Sequence, residues 1–237
     1  MLAAVRPNTR VLTLTWVHSS TGVKMPVRRV ADGLATINAG RDERDHVLLC
    51  VDGVHGFGVE NVAASDLGCD FFVAGCHKWL FGPRGTGLVW GRPEAWPAAG
   101  PTIPSFSGGD TPGAANTPGG FHSFEHRWAL AQAFQFHRRV GRARIAARTH
   151  ALNRRFKRGL AQMAQVRLYT PQSDRLSAGI VCFDVRGLTP EDVVGRLRAR
   201  GIIATATPYS PSYARVSPSI LNTPGEIDRA LAAIRGM

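Results

Sequence analysis

The chain has 237 residues, of which 44% are hydrophobic and 19% are charged, a balance typical of folded proteins and not of disordered ones. It lacks an uncharged apolar run of about 18 residues, and its start lacks the apolar centre of a secretory signal, so we expect a cytoplasmic protein without a membrane partner. The 29 Lys and Arg outnumber the 17 Asp and Glu, which gives a formal net charge of +12.

Much of the positive charge lies in one segment, Arg138–Arg158, where apolar residues are interspersed with arginines. This pattern predicts a solvated helix face, and we expect no nucleic-acid partner. The four cysteines, Cys50, Cys69, Cys76 and Cys182, form no Cys-x-x-Cys pair, which is typical of free thiols in a reducing compartment.

The first elements in chain order alternate between strand and helix. Arg10–Val17 is apolar and rich in β-formers, which predicts a strand. A helix is predicted over Val27–Asn38, directly after a proline. The apolar run Val47–Val51, which is followed by Asp52, predicts a strand buried on both faces of a parallel sheet.

The next elements bring a lysine into the same region. Val59–Leu67 has apolar residues at helical spacing, with Gly68 placed to end a helix. Phe71–Ala74 predicts the following strand, which stops shortly before Lys78. A crossover between parallel strands brings their carboxyl ends to one sheet edge, where ligands of open α/β sheets bind. We therefore expect Asp52 and Lys78 to face one pocket.

The pattern changes in the second half of the chain. Thr86–Trp90 predicts a strand, Arg92–Gly120 is rich in Pro and Gly and predicts a long irregular loop, and Phe124–Phe136 predicts a helix. A separate α+β unit then follows, which places a domain boundary near residue 140. Its predicted elements are Gly141–Leu160, Val166–Tyr169, Gly179–Val185, Thr189–Arg200, Ile202–Thr205 and Glu226–Arg235.

A lysine paired with a buried acid suits pyridoxal phosphate. Lysine forms a Schiff base with the aldehyde of this cofactor, and a carboxylate keeps the pyridine nitrogen protonated. Periodicity alone does not single out that cofactor. Asp52, His55, Cys76 and His77 are also residue types that suit a zinc site, although that interpretation leaves Lys78 unexplained.

The exact residue sequence of this region is more specific than its hydrophobic periodicity. CVDGVHGFGVENVAASDLGCDFFVAGCHKWLFGPRGTG combines Asp-Gly-x-His, His-Lys-Trp and a Gly-Pro-x-Gly-x-Gly turn. It resembles the class V aminotransferase family of pyridoxal-phosphate enzymes, nearest to its isopenicillin-N-epimerase-like and cysteine-desulfurase-like members. The resemblance implies an α/β, fold-type-I transferase. Residues 1–140 would be the carboxyl-terminal portion of the large cofactor-binding domain, with a mainly parallel sheet, and residues 141–237 a small α+β domain.

The resemblance also implies roles for single residues. Lys78 would be the Schiff-base lysine and Asp52 the partner of the pyridine nitrogen. His55 matches a residue near the ring hydroxyl, and His77 matches a phosphate ligand. Gly75 stands where desulfurase-like members commonly have a serine, so a backbone amide or the neighbouring Cys76 would have to replace that phosphate contact.

Three further residues follow from the same resemblance. Ser19 stands where desulfurase-like members have an asparagine near the ring or the substrate carboxylate, although a plain turn explains it equally. Arg127 and its neighbour His126 replace a Gly-Thr pair whose threonine reaches the phosphate of the neighbouring subunit. Either could supply a donor to that phosphate, although a solvated helix start explains them equally. Arg215 lies in an Arg-x-Ser motif, and its planar guanidinium would bind the carboxylate of an amino-acid substrate through two parallel hydrogen bonds.

The resemblance implies a homodimeric enzyme that acts on an amino acid by transamination, epimerisation or C–S lysis. Residues 205–215 contain no cysteine, which disfavours persulfide chemistry. The chain matches only the later part of the family's length and lacks the glycine- and threonine-rich phosphate turn, so we expect a truncated member. The alternative is a catalytically silent fragment that serves as a dimerisation or scaffolding module.

Overall fold

The computed structural model describes residues 1–103, 105–106, 109–117 and 122–237, which form two compact units. The first unit comprises Met1–Leu14, Val27–Asp52 and Val62–Gln135, and the second comprises Thr15–Pro26, Gly53–Asn61 and Phe136–Met237. Two short segments of the amino-terminal half therefore belong to the second unit. No helix among the described residues is long and apolar enough to cross a bilayer.

The first unit contains a four-stranded sheet whose neighbours follow the order β1, β2, β3, β4. Its strands are β1 (Val11–Thr15), β2 (Leu48–Asp52), β3 (Phe71–Gly75) and β4 (Gly87–Gly91). Strands β2 and β3 run parallel, whereas β3 and β4 run antiparallel. The four strands lie where the sequence predicts them.

Helix α1 (Val27–Asn38) coincides with its predicted range and packs against β2. Its buried residues recur at helical spacing, so one face of the helix is apolar. They are Val27, Val30, Ala31 and Leu34. At the end of the helix, the Asn38 amide group donates to the Val47 carbonyl at 3.1 Å and accepts from the Val47 amide at 2.9 Å. This exchange fixes the start of β2.

A buried carboxylate aligns the starts of β2 and β3. Asp70 accepts a hydrogen bond from the Leu49 amide at 2.7 Å and another from the Arg92 guanidinium. The Asp70 amide in turn donates to the Leu49 carbonyl at 2.9 Å. The two strands are therefore held in register at one end, which determines where their other ends lie.

The helix predicted over Val59–Leu67 is wrong. Residues 59–64 form turns, bends and irregular backbone, and only Ser65–Leu67 forms a short 3-10 helix, which Gly68 ends in the left-handed conformation. Gly58 has a φ of 84°, which lies outside a right-handed helix, and the β-branched Val59 next to it adds little helix propensity. The apolar spacing is real, but local backbone preferences outweigh it.

Two other expectations for this unit need correction. The strand ending at Asp52 was expected to be buried on both faces, yet Asp52 and its partner Val73 are exposed, as is Val89 opposite Val73. The loop over Arg92–Gly120 is also not wholly irregular, because it contains a 3-10 helix and the short helix α2 (Pro112–Asn116). Residues 104, 107, 108 and 118–120 of that loop lie outside the described residues.

Helix α3 (Phe124–Val140) begins where predicted and contributes its last residues to the second unit. The second unit continues with a sheet whose neighbours follow the order β5, β6, β8, β7, all paired antiparallel. Its strands are β5 (Val166–Leu168), β6 (Val181–Val185), β7 (Thr205–Ala206) and β8 (Ala214–Val216). Its further helices are α4 (Arg142–Ala161), α5 (Pro190–Arg198) and α6 (Pro224–Arg235).

This α+β unit has its own apolar core, formed between the sheet and the three helices. The largest core residues include Leu152, Phe156, Leu160, Phe183, Leu197 and Ile234. The two later helices begin with a capping box, Thr189 with Asp192 and Thr223 with Glu226, and proline follows each threonine. The sequence predicts both starts, because capping depends on residues that are neighbours in the chain.

The strand predicted over Ile202–Thr205 is displaced and begins only at Thr205. The Ile202 amide donates to the Leu197 carbonyl at 3.0 Å, so it completes the end of α5 and is not available to a sheet. Ile203 is 91% exposed. The apolar pair that suggested a strand therefore serves as a helix end and an exposed linker.

Charged residues also lie in the interior of the second unit. Glu60, with a side chain only 7% exposed, accepts from Lys24 Nζ at 2.7 Å, and His150 Nε2 lies 2.8 Å from its other oxygen. Burial raises the pKa of Glu60, but the hydrogen bonds from His150 and Lys24 together outweigh burial, so its pKa lies below the ordinary value. Lys157 is 1% exposed and donates to the carbonyls of Pro171 and Gln172 at 3.0 and 2.9 Å.

The lowered pKa of Glu60 predicts how stability depends on pH. The unfolded carboxyl binds a proton more readily than the folded one, so its stabilising contribution is present above the unfolded pKa and is lost as pH falls through the folded pKa. Below the ordinary value of 4.5, wild type should lose stability more steeply than Glu60→Gln, by up to about 1.4 kcal/mol per pH unit. Urea unfolding at a series of acidic pH values measures this difference, and parallel curves for the two proteins would contradict it.

Candidate active site

Lys78 lies in a tight turn that follows β3. The turn closes because the Gly82 amide donates to the Cys76 carbonyl at 2.8 Å and the Cys76 amide donates to the Thr86 carbonyl at 2.9 Å. A Cβ at Gly82 would lie 2.8 Å from the Cys76 oxygen and 2.9 Å from Leu130 of α3, so only glycine fits there. The turn is thus held by its own backbone and by a helix.

Burial within this turn decides which side chains reach solvent. Trp79 and Leu80 are buried and anchor the turn in the first unit. His77 and Lys78, just before them, are exposed. The turn therefore presents an imidazole and an amine side by side.

Asp52 is the last residue of β2 and is exposed. Because β2 runs parallel to β3, Asp52 and the turn that carries Lys78 follow the carboxyl ends of neighbouring strands. This shared sheet edge is what the sequence predicts, although the crossover lacks the predicted helix. A carboxylate and an amine at one edge can bind a ligand that carries both an electrophilic carbon and a basic nitrogen.

Lysine occurs only three times in the sequence, at positions 24, 78 and 157, and all three lie in the described part of the chain. Lys24 is paired with Glu60 and partly buried, and Lys157 is enclosed by carbonyl groups. Lys78 is the only exposed one of the three. Its side chain is thus the most exposed to solvent of the three.

Cys76 is poorly placed to replace the serine that desulfurase-like members have at the position of Gly75. The Cys76 amide is bound to the Thr86 carbonyl, and its thiol is buried, which raises the pKa of that thiol. Neither group is placed to hold a phosphate. Of the residues predicted near a phosphate in this turn, only His77 is exposed.

Arg127 lies in the first turns of α3, one turn before Leu130, which packs near Gly82. Its guanidinium lies 2.6 Å from Nε2 of His122, and both Arg127 and His126 are exposed. Helix α3 therefore joins Arg127 to the lysine turn within the first unit. The side chain is engaged locally and is accessible to solvent.

Ser19, His55 and Arg215 belong to the second unit. Arg215 of β8 donates from Nη1 to the Ser19 carbonyl at 2.5 Å and from Nε to Thr205 Oγ1 at 3.1 Å. These two contacts engage two of the three guanidinium nitrogens and fix the plane of the group.

Tyr209 is a residue that the sequence analysis missed. Its hydroxyl lies 2.5 Å from Ser19 Oγ, and its ring lies 6.1 Å from the ring of His18. The side chain is 48% exposed. No local pattern in residues 205–215 indicates that Tyr209 meets Ser19, 190 positions earlier in the chain.

His55 lies in the turn 53–61, which directly follows Asp52. This turn packs on the Ser19 segment, since a Cβ at Gly56 would lie 2.2 Å from the Trp16 ring. The ion pair of Glu60 with Lys24 joins the same two segments. His55 is thus held beside the Ser19 segment within the second unit.

The zinc interpretation finds no support. Among the described residues, which include Asp52, His55, Cys76 and His77, no group of three or more His, Cys, Asp or Glu is placed to hold a metal ion. Burial also raises the pKa of the Cys76 thiol, which disfavours the thiolate form that binds zinc.

Known structures share this architecture. A cystine C-S lyase, C-DES, solved with its product cysteine persulfide, superposes with a TM-score of 0.87 at 22% identity, over 99% of this chain and 63% of that one. The cysteine desulfurase of Thermococcus onnurineus gives a TM-score of 0.83 at 22% identity, over 96% and 59%. The fold is therefore that of fold-type-I pyridoxal-phosphate enzymes.

Sequence comparison identifies the family. The Aminotransferase class-V model matches residues 1–229. Isopenicillin N epimerase of Streptomyces clavuligerus is 29% identical over 99% of this chain and 63% of its own length. A probable cysteine desulfurase of Mycolicibacterium paratuberculosis is 29% identical over 97% of this chain and 35% of its own length.

The chain belongs to the Aminotransferase class-V family, whose cofactor is pyridoxal 5'-phosphate. It spans less than two thirds of the length of each of these relatives. The family confirms the resemblance drawn from the sequence around Lys78.

Proposed function

We propose that this protein is a pyridoxal-phosphate-dependent enzyme that acts on an amino acid, with Lys78 as the lysine that holds the cofactor. The observation that carries the proposal is the position of Lys78. It is the one exposed lysine of three, and its turn follows β3 at the sheet edge where Asp52 ends the parallel strand β2. A lysine and a carboxylate that follow the carboxyl ends of neighbouring strands fit the aldehyde and the pyridine nitrogen of this cofactor.

When bound, the cofactor supplies an electron sink for the carbanion that forms at the amino-acid α-carbon. Lys78 would hold its aldehyde through a Schiff base, and the freed amine would move the α-proton. Asp52 would keep the pyridine nitrogen protonated. The roles of His55 near the ring hydroxyl, of His77 and Arg127 near the phosphate, and of Ser19 near the ring or the substrate carboxylate rest on the family resemblance.

Arg215 would bind the carboxylate of the amino-acid substrate. The contacts of its Nε with Thr205 and of its Nη1 with Ser19 orient the guanidinium before any substrate arrives. An arginine held in this way loses little conformational freedom on binding, which favours affinity.

Transamination, epimerisation and C–S lysis all remain within this proposal, and the names of the relatives include an epimerase and desulfurases. The division into a large-domain portion, 1–140, and a small domain, 141–237, is part of the proposal. A homodimeric assembly and a cytoplasmic location are proposed on the same family resemblance.

Reductive trapping tests the proposal directly. The purified chain would be mixed with pyridoxal 5'-phosphate and reduced with borohydride, and the modified residue would be identified by peptide mass spectrometry. We expect stoichiometric modification at Lys78, because its side chain is exposed whereas Lys24 is partly buried in an ion pair and Lys157 is buried.

The control uses pyridoxal without its phosphate, which reacts with any accessible amine but lacks the group that His77 and Arg127 would hold. Modification spread over Lys24, Lys78 and the Met1 amine, equal for both aldehydes, would contradict a cofactor site. It would favour the silent scaffolding module instead.

A further inference from the structure

Two turns of the second unit carry residues of the proposed substrate site, and both meet at one carboxylate. The turn 15–26 contains Ser19 and Lys24, and the turn 53–61 contains His55 and Glu60. Lys24 Nζ donates to Glu60 Oε2 at 2.7 Å. The two turns come from separate places in the sequence, yet a single buried ion pair joins them.

A third element meets the same carboxylate. His150 of α4 lies 2.8 Å from Glu60 Oε1, and its other ring nitrogen lies 3.8 Å from Asp174. The side chains of Lys24, Glu60 and His150 are 15%, 7% and 14% exposed. Glu60 therefore connects both turns to the helix that forms the core of the second unit.

Backbone contacts hold the turn 15–26 at its other side. Thr170 Oγ1 donates to the Thr21 carbonyl at 2.6 Å, and the Lys24 amide donates to the Leu176 carbonyl at 2.8 Å. The turn 53–61 packs on Trp16 and is joined to Lys24 and His150 through Glu60. Glu60 thus contributes to the position of the turn that carries His55.

We propose that Glu60 is a positioning residue, which fixes the turns of Ser19 and His55 against each other and against α4. This inference rests on the proposed function for its link to catalysis. Glu60 need not touch the substrate. It acts through the turn 15–26, in which the Ser19 carbonyl accepts the hydrogen bond that orients Arg215.

Replacing Glu60 with glutamine keeps the shape of the side chain but removes its charge. Lys24 and His150 would then share one amide oxygen in a partly buried place, where a charge-assisted hydrogen bond is worth much more than a neutral one. Both turns should loosen together. Asp32→Asn is a matched control, because it removes an exposed carboxylate that pairs with Arg28 within α1.

Amide hydrogen exchange gives a test that does not depend on activity. In Glu60→Gln we expect exchange to rise about tenfold in 15–26 and in 53–61, measured relative to the buried strand β6, which we expect to exchange only on global opening. Asp32→Asn should leave both segments unchanged. Faster exchange in one turn alone, or in neither, would overturn the proposal.

A second measurement links Glu60 to the proposed substrate site. In Glu60→Gln we expect the concentration of L-alanine that half-saturates the spectral change of the cofactor-loaded protein to rise about tenfold, while trapping at Lys78 stays unchanged. An equal loss of both would show a general structural defect and overturn the positioning role. If wild type is not trapped at Lys78, the proposed function fails, whereas the exchange experiment still decides whether Glu60 holds the two turns.

Lys24→Gln covers the case in which Glu60→Gln does not fold. This variant leaves Glu60 with His150, so exchange should rise in 15–26 and stay unchanged in 53–61. Unchanged hydrogen exchange in 15–26 would show that the contact of Lys24 with Glu60 does not stabilise this turn, and it would overturn the proposal.

Discussion

Replacing Lys78 with alanine should abolish covalent attachment of pyridoxal 5'-phosphate and lower amino-acid turnover by at least about a thousandfold. Two functions are lost at once, the attachment of the cofactor and the movement of the α-proton, and a positioned acid or base alone contributes about 10²- to 10⁴-fold. The fold should survive, because Lys78 is exposed while Trp79 and Leu80 anchor the turn.

Visible absorbance during titration with the cofactor, followed by borohydride trapping, measures the first loss, and turnover of a panel of L-amino acids measures the second. Lys78→Arg keeps the positive charge but forms no stable Schiff base, so it should behave like alanine. Arg84→Ala removes an exposed cation from the following turn and should behave like wild type. If Lys78→Ala attached pyridoxal 5'-phosphate as wild type does, Lys78 would not be the lysine that holds the cofactor.

Replacing Arg215 with methionine should abolish the preference for ligands that carry a carboxylate. A hydrogen bond between charged groups contributes about 1.5–3 kcal/mol, so wild type should bind L-alanine roughly 10- to 150-fold more tightly than ethylamine, which lacks only the carboxylate. In Arg215→Met the two should bind alike. Arg215→Lys should lose most of the preference as well, because an ammonium group does not replace the planar pair of donors.

Spectral titration of the cofactor-loaded protein with each amine gives both affinities. Thr205→Val removes only the contact to Nε and should reduce the preference less than Arg215→Met does. Arg229→Lys, at an exposed helix position, is the neutral control. If Arg215→Lys discriminated as well as wild type, a simple positive charge would suffice and the oriented guanidinium would have no role.

Local signals in the sequence were sufficient for much of the fold. Helix α1, the capped starts of α5 and α6, and the strands β1 to β4 depend on residues close together in the chain, and the structure confirms them. The helix expected over Val59–Leu67 failed for the opposite reason. Its apolar spacing fits a helix, but Gly58 adopts a positive φ, and the segment is divided between the two units, with residues 59–61 in the second and residues 62–67 in the first.

The candidate site shows the same division. Asp52 and Lys78 could be assigned to one sheet edge, because the parallel pairing of two apolar strands follows from their composition and order. Tyr209 and Glu60 could not be found in this way. Their partners are Ser19, Lys24 and His150, which lie far away in the sequence, and no spacing rule relates them.

The sequence by itself determined the family and its cofactor, and it predicts Lys78 as the lysine that holds the cofactor, because a motif with a fixed order of Asp, His and Lys can be read from neighbouring residues. Only the tertiary structure decided that Lys78 is the one exposed lysine of three, that Arg215 is oriented by Ser19 and Thr205, and that two turns meet at Glu60. Burial and long-range hydrogen bonds arise when distant segments pack together, and the linear order of residues does not encode them locally.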